Sequence, residues 1–169
     1  SNPFKNSPKI TSFTFGDEVE HIPAYLCYNL SKLPSIEIPN SVTSIGDGAF
    51  AYCSSLTSIE IPNSVTSIGE RAFEGCESLT GIEIPNSVTW IGYKAFFDCE
   101  SLTKITCLAT TPPTIESYTF SDYSAELYVP AGCKSAYQSA DHWKNFNVKE
   151  MSHEVGAMFS ANGLNYVIT

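Results

Sequence analysis

Residues 41–63 read SVTSIGDGAFAYCSSLTSIEIPN, and residues 64–86 follow directly as SVTSIGERAFEGCESLTGIEIPN. A third segment at 87–109, SVTWIGYKAFFDCESLTKITCLA, aligns with both without a gap. The phenylalanine of each copy marks a period of 23 residues: Phe50, Phe73 and Phe96. Self-similarity at a fixed period of about 20 to 50 residues is typical of solenoid proteins, in which each repeat forms one coil.

The period continues in weaker form on both sides of these three copies. Ile10 and Phe13 stand 23 residues before Leu33 and Ile36, which indicates a degenerate first repeat. After the third copy the chain makes a longer excursion, and the apolar alternation then returns at Leu127–Val129. We therefore predict Leu127–Val129 as the last strand of the array.

Each repeat ends in the pattern Leu-x-x-Ile-x-Ile-Pro, which alternates as a strand with one buried face should, and proline then ends the strand. The next apolar segment, Val42 to Ile45 in the first full copy, is predicted to form a connection between strands. No coil can bury its apolar residues alone, so neighbouring coils must stack. The sequence thus predicts a right-handed, β-rich solenoid of about five coils with parallel strands and irregular or 3₁₀ connections.

The motif SIxIPNSVTSIGxxAFxxCxSL resembles the BspA-like leucine-rich-repeat family over about residues 10 to 130. The resemblance implies a curved leucine-rich-repeat solenoid, exported to the bacterial surface and associated with adhesion to host or neighbouring-cell proteins. The C-terminal part, with Pro112-Pro113, Val129-Pro130, Tyr137 and Trp143, is similar to the terminal cap of bacterial members. The chain departs from the family pattern at Cys107-Leu108, where earlier repeats have Ile-Pro.

Four segments are expected along the chain: an N-terminal tail at 1–9, the leucine-rich-repeat solenoid at 10–108, a last coil with a C-terminal cap at 109–150, and at 151–169 a linker or the start of a truncated following segment. Within the cap, Ser135 to Asp141 predicts a short helix with Ala136 and Tyr137 on its buried side. Leu164, Tyr166 and Ile168 alternate as a further strand would.

Charge and composition exclude several classes of function. Eighteen acidic against nine basic residues give a net charge of −9, and no lysine or arginine cluster is present to neutralise phosphates. We therefore expect no nucleic-acid partner. No segment reaches the roughly 20 apolar residues that span a bilayer, so no membrane insertion is expected. Residues 1–8 contain no apolar signal core, and an exported protein would carry its signal outside this sequence.

Nothing in the sequence indicates catalysis, a cofactor or a metal. Cys53, Cys76 and Cys99 repeat at the period, so their side chains point the same way, which suits a disulfide poorly. We predict that they are free, buried thiols that pack as small apolar groups. The three histidines are scattered, and neither a close CxxC pair nor a nucleophile or phosphate-binding motif occurs. The chain is therefore predicted not to be an enzyme.

The exposed position between the two strand isoleucines carries the first candidate site. Glu37, Glu60 and Glu83 occupy it in successive repeats and would form a row at one strand spacing. Adjacent like charges on a sheet are unfavourable by a fraction of a kcal/mol each. The row is either a solvated acidic face that keeps the solenoid soluble or a docking site for a basic partner surface or a cation.

The third copy carries the second candidate site, because large aromatic residues replace small or charged ones. Trp90 replaces serine, Tyr93 replaces Asp47 or Glu70, and Phe97 replaces alanine or glutamate. They either pack beneath the excursion at 108–126, which we favour, or form exposed anchors for a protein or platforms for sugar rings.

Taken together, the residues predict a protein-binding repeat module of a bacterial cell-surface or exported protein, with a role in adhesion or host interaction. The expected partner is a protein, such as a host extracellular-matrix or cell-surface protein. Two alternatives stay open. A carbohydrate-binding module would use Trp90, Tyr93 and Phe97, and a structural spacer would bind no ligand of its own.

Overall fold

The computed structural model describes residues 3, 4, 7 and 9–152, together with the backbone of two strands at 158–161 and 164–167. Its main feature is a stack of coils held by two parallel sheets. The prediction of a solenoid with parallel strands is confirmed. The position of the strands differs from the prediction in two places.

The first sheet is formed by five strands of two residues each, in the order β1-β2-β3-β5-β7. These strands are β1 (His21–Ile22), β2 (Ser44–Ile45), β3 (Ser67–Ile68), β5 (Trp90–Ile91) and β7 (Thr114–Ile115). This segment was predicted as a connection, and that prediction is wrong: each strand pairs in register with its equivalent one coil away. We number coils 1 to 5 by these five strands.

The second sheet has four longer strands in the order β4-β6-β8-β9. They are β4 (Gly81–Ile84), β6 (Lys104–Cys107), β8 (Glu126–Val129) and β9 (Asn147–Glu150). The equivalent segments of coils 1 and 2 keep the alternation, because Ile36, Ile38, Ile59 and Ile61 are all buried. They form no regular ladder, although the Thr57 amide still donates to the carbonyl oxygen of Pro34 at 3.2 Å.

A continuous row of stacked phenylalanine rings runs through the core. Phe50, Phe73, Phe96 and Phe120 lie with adjacent ring centroids 5.3, 5.2 and 5.4 Å apart and nearly parallel planes. All four side chains are buried. Since full burial of a phenylalanine contributes about 1.5–3 kcal/mol, this row is a large part of what holds the coils together.

Side-chain hydroxyls explain why the letters Ser-Val-Thr return in each repeat. The hydroxyls of Ser41, Ser64 and Ser87 donate to the valine carbonyls of the preceding coil at 2.8, 2.6 and 2.7 Å. Thr66 and Thr89 donate in the same way to Thr43 and Thr66 at 3.2 and 3.3 Å. These bonds satisfy carbonyls at the turns and fix the register between coils.

The glycine after each strand of the first sheet is required by the coil behind it. A Cβ atom on Gly69 would lie 2.7 Å from the backbone nitrogen of Asp47 and 2.6 Å from its Oδ1 atom. On Gly46 a Cβ would lie 2.7 Å from the carbonyl oxygen of Ile22. Any side chain at this position would therefore push the coils apart.

The C-terminal part extends the second sheet further than predicted. Leu127–Val129 lies in β8 and is not the last strand, because β9 pairs in parallel with β8 and places Val148 beside Leu127. The helix α1 (Lys134–Ser139) and a 3₁₀ turn (Trp143–Asn145) form the connection between these two strands.

The connection is anchored to the excursion of coil 5. The Tyr137 hydroxyl donates to the carbonyl oxygen of Ala109 at 2.7 Å, and the Trp143 indole donates to that of Pro113 at 2.8 Å. The helix prediction is confirmed with Tyr137 buried, whereas Ala136 is exposed. Beyond this region β10 (Met158–Ala161) pairs antiparallel with β11 (Leu164–Val167). The predicted strand is thus present, while Ile168 lies outside the described residues.

Candidate functional site

The outward-facing positions of the second sheet form one column of exposed and half-exposed side chains. Backbone register aligns Glu83 with Thr106, Thr106 with Tyr128, and Tyr128 with Lys149. Glu37 and Glu60 hold the equivalent positions in coils 1 and 2, and both are exposed. We call this set the sheet-face column: Glu37, Glu60, Glu83, Thr106, Tyr128 and Lys149.

The sheet-face column changes charge along its length. The three glutamates lie at one end, and lysines lie at the other: Lys149 within the column, and Lys104 at the start of β6. The sequence predicted the acidic end, but it did not predict Lys149, because the strand that carries it was missed. The face therefore offers an acidic half and a lysine-containing half to a partner.

A tyrosine lies at the centre of the lysine-containing half. The Nζ atoms of Lys104 and Lys149 lie 5.1 and 5.7 Å from the centroid of the Tyr128 ring, within the range of cation–π contacts. The Tyr128 hydroxyl donates to Oε2 of Glu126 at 2.7 Å, and Lys149 forms an ion pair with the same carboxylate. We call these four residues the Tyr128 cluster.

The Tyr128 cluster keeps its charges at neutral pH. The hydrogen bonds from Lys149 and Tyr128 hold the pKa of the Glu126 carboxyl below its usual value. The same carboxylate raises the pKa of Lys149 and of Tyr128. The cluster thus presents a fixed, polar aromatic surface whose charge state does not change near pH 7.

Trp90 lies on a different sheet from the glutamates. It forms the first residue of β5 in the first sheet, between Ser67 and Thr114, and is half-buried. A Cβ atom on Gly92 would lie 2.8 Å from the indole, so the ring extends across that glycine. Trp90 therefore does not share a face with the sheet-face column.

Tyr93 and Phe97 lie together on the turns that follow β5. Both rings contact Tyr118 of the excursion, with centroids 6.2 and 6.4 Å apart, and both are half-buried. The Nζ atom of Lys94 lies 4.2 Å from the centroid of Phe97. The structure thus brings two of the three candidate aromatics together and packs them against the excursion.

The sequence reasoning missed a group of exposed tyrosines on the same turns. Tyr25, Tyr52 and Tyr118 are the large hydrophobic side chains exposed among the described residues, at 41%, 39% and 57%. All three have a left-handed backbone, with φ near 60°. We call them, with the half-buried Tyr28, Tyr93 and Phe97, the tyrosine turn face.

Glycines of the following coil make room for two of these rings. A Cβ atom on Gly48 would lie 2.5 Å from the Tyr25 ring, and one on Gly75 would lie 2.6 Å from the Tyr52 ring. Each tyrosine therefore lies flat over the next coil. The signal was readable, since each glycine follows its tyrosine by 23 residues.

The described part of the chain holds no group of three histidine, cysteine, aspartate or glutamate side chains arranged to bind a metal ion. Within those same residues, no helix has the length and apolar character needed to cross a membrane. Burial raises the pKa of Cys27, Cys53 and Cys99 to about 12, so these thiols stay protonated and are poor nucleophiles.

The family model described as "BspA type leucine rich repeat region" matches the chain in six copies, over residues 1–128 and 43–155. A search of curated proteins finds no match.

Solved structures of bacterial leucine-rich-repeat proteins are similar to the chain. A leucine rich cell surface protein from Faecalibacterium prausnitzii is 30% identical with a TM-score of 0.67, over 82% of this chain and 35% of its own. A leucine-rich repeat protein from Bacteroides ovatus is also 30% identical, with a TM-score of 0.61, over 72% of this chain and 40% of its own. The pneumococcal vaccine antigen PcpA is 18% identical and shares the fold, with a TM-score of 0.66, over 86% of this chain and 42% of its own. The chain thus spans less than half the length of these three proteins.

Proposed function

We propose, since the chain belongs to the BspA-type leucine-rich-repeat family, that it is a protein-binding module of a bacterial cell-surface or exported protein. Its binding surface is the sheet-face column together with the Tyr128 cluster. The similar protein from Faecalibacterium prausnitzii is described as a cell surface protein, which supports an external location for this module. The partner we propose is a protein of a host cell, of host extracellular matrix or of a neighbouring cell.

One observation carries the proposal: the inward positions of the second sheet stay apolar while the outward positions differ from strand to strand. Ile82, Ile105, Leu127 and Val148 follow one another inward, all buried. Outward, the side chain changes from Glu83 to Thr106 to Tyr128. A surface that served only to stay soluble would need no aromatic residue between two lysines.

The geometry favours binding of a pre-formed surface. Parallel strands hold the column rigid, so little conformational entropy is lost when a partner docks. The three glutamates attract a basic patch and increase the rate of encounter, an effect that salt reduces. Tyr128 supplies the kind of aromatic contact that contributes most to interfaces.

A pull-down from host extracellular-matrix extract, followed by affinity measurement on the captured protein, tests the proposal. Replacing Glu37, Glu60 and Glu83 together by Gln should weaken binding and reduce its dependence on salt. The matched control replaces Glu18, Glu70 and Glu77 by Gln, which are exposed but lie outside the column. Equal binding by both triple variants would remove the column from the proposal, and capture of no protein would favour the role of a structural spacer.

A carbohydrate-binding role is the second candidate, because the tyrosine turn face exposes flat aromatic rings. Tyr25 and Tyr52 lie over glycines of the next coil, and such rings can stack against sugar rings. A glycan array separates the two roles. Glycan binding that Tyr52→Ala abolishes and the triple glutamine variant preserves would favour carbohydrate recognition.

A further inference from the structure

Coil 5 is two residues shorter than coil 4 along one side of the core. Phe96 lies beside Phe120, and Ile105 pairs with Leu127, so both pairs are equivalent positions. Nine positions separate Phe96 from Ile105, whereas seven separate Phe120 from Leu127. The shorter coil therefore lacks residues to cover everything that coil 4 presents to it.

The uncovered residues are those that the other coils bury completely. Leu33, Leu56 and Leu79 are fully buried, whereas Leu102 at the equivalent position is only half-buried. Cys99 is 8% exposed, while Cys53 and Cys76 are not exposed. The missing cover opens a cleft of about 250 Å³ between coils 4 and 5.

The cleft has an apolar floor and an acidic rim. Leu102, Cys99 and Ala125 line the floor. Asp98, Glu100 and Asp122 line the rim and are exposed, and no lysine or arginine of the described chain is ion-paired with any of them. Ser124 donates to Asp122 through both its amide and its hydroxyl, which holds the pKa of that carboxyl below its usual value.

We propose that this cleft binds the side chain of a lysine presented by a partner protein. The four-carbon stem of lysine would cover Leu102 and Cys99, and its ammonium group would lie among the three rim carboxylates. Charge complementarity selects a cation, and the apolar floor selects one with an aliphatic stem over a bare ion. The site lies outside the sheet-face column and adds a second contact to the protein-binding role.

The n-butylammonium ion, which is the isolated lysine side chain, tests the cleft without any partner protein. Amide chemical shifts of the full chain are recorded by NMR during titration at constant ionic strength. The reporters are the amides of Asp98 and Ser124, which donate to Ser121 and Asp122 within the cleft. We expect saturable shifts at these amides with a dissociation constant on the order of 10 mM. n-Butanol, which has the stem without the charge, should give no saturation in this range.

Variants separate the rim from the floor. Asp98→Asn and Asp122→Asn should each weaken binding about fivefold, the upper range for one exposed charge pair. Ala125→Leu should fill the cleft and abolish binding, and its amide spectrum shows whether it folds. The matched control, Glu70→Gln, removes an exposed carboxylate outside the cleft and should bind like the wild type.

Three results would overturn the proposal. They are absence of saturable shifts, equal shifts from n-butanol or from calcium chloride, and unchanged affinity in both aspartate variants. Each of these leaves the sheet-face column untouched, since the glutamine variants of Glu37, Glu60 and Glu83 test that surface separately.

Discussion

The thiol of Cys76 donates a hydrogen bond of 3.3 Å to the carbonyl oxygen of Phe50, 26 residues earlier and one coil back. The same contact joins Cys99 to Phe73 at 3.3 Å, and Cys53 donates to the carbonyl of Cys27 at 3.1 Å. The Cys76 side chain is fully buried, so no water can replace the thiol. The repeated cysteine thus fills the core and also satisfies a buried carbonyl.

Replacing Cys76 by Ala should lower the free energy of unfolding by about 1–3 kcal/mol, because the Phe50 carbonyl loses its buried partner. Urea denaturation of the purified chain measures the change. The control is Cys133→Ala, since Cys133 is only half-buried, and we expect a change within about 0.5 kcal/mol there. Equal stability of the two variants would mean that the thiol hydrogen bond contributes nothing.

Stability should fall at alkaline pH because of the buried thiols. Burial raises the pKa of Cys53 from its usual value of 9.0 to about 12, so the folded state holds a proton that the unfolded state releases. The stabilisation is complete below about pH 9 and is lost as the pH rises toward 12.

Unfolding curves recorded at pH 8, 10 and 11 test this prediction. Cys53→Ala should show a shallower decline than the wild type, by at most about 1.4 kcal/mol per pH unit. Parallel declines in the two proteins would contradict the assignment of a raised pKa to this thiol.

Gly69→Ala should destabilise the fold by about 2–3 kcal/mol or more, because its Cβ would lie 2.7 Å from the backbone nitrogen of Asp47 in the neighbouring coil. Gly16→Ala is the matched control, since nothing lies within 4 Å of a Cβ there. We expect that change to stay within about 0.5 kcal/mol. Thermal or urea unfolding distinguishes the two, and a tolerated alanine at position 69 would contradict the close stacking of the coils.

Glu60→Gln should raise the free energy of unfolding by about 0.2–1 kcal/mol at low salt, because Glu60 lies between Glu37 and Glu83 in the column. The gain should shrink at high salt, where the repulsion is screened. Unfolding measured at both salt concentrations checks this, with Glu70→Gln as the exposed control. Loss of stability in Glu60→Gln would show that the glutamates do not repel one another.

The columns of Phe50, Cys53 and Glu60 could be predicted from the sequence for one physical reason. When coils have equal length, equivalent residues become spatial neighbours, and the 23-residue period states this directly. The buried alternation at Ile59 and Ile61 followed from the same argument, even where no regular ladder forms.

Features that break the period were harder to predict. Strands of two residues, such as Ser44–Ile45, are too short to show alternation, so the first sheet was missed. In Asn147–Glu150 only Val148 is buried, and α1 separates it from the repeats. The cleft depends on a two-residue shortening of coil 5, which becomes visible only when Phe96 is placed beside Phe120.

Hydroxyl-radical footprinting of the chain with its captured partner tests most directly whether the second sheet is the binding face. Tyr128 lies on that face, whereas Tyr25, Tyr52 and Tyr118 lie on the tyrosine turn face. We predict that partner binding protects Tyr128 from oxidation and leaves the three turn tyrosines as reactive as in the free chain. Protection of the turn tyrosines with Tyr128 unchanged would contradict the account.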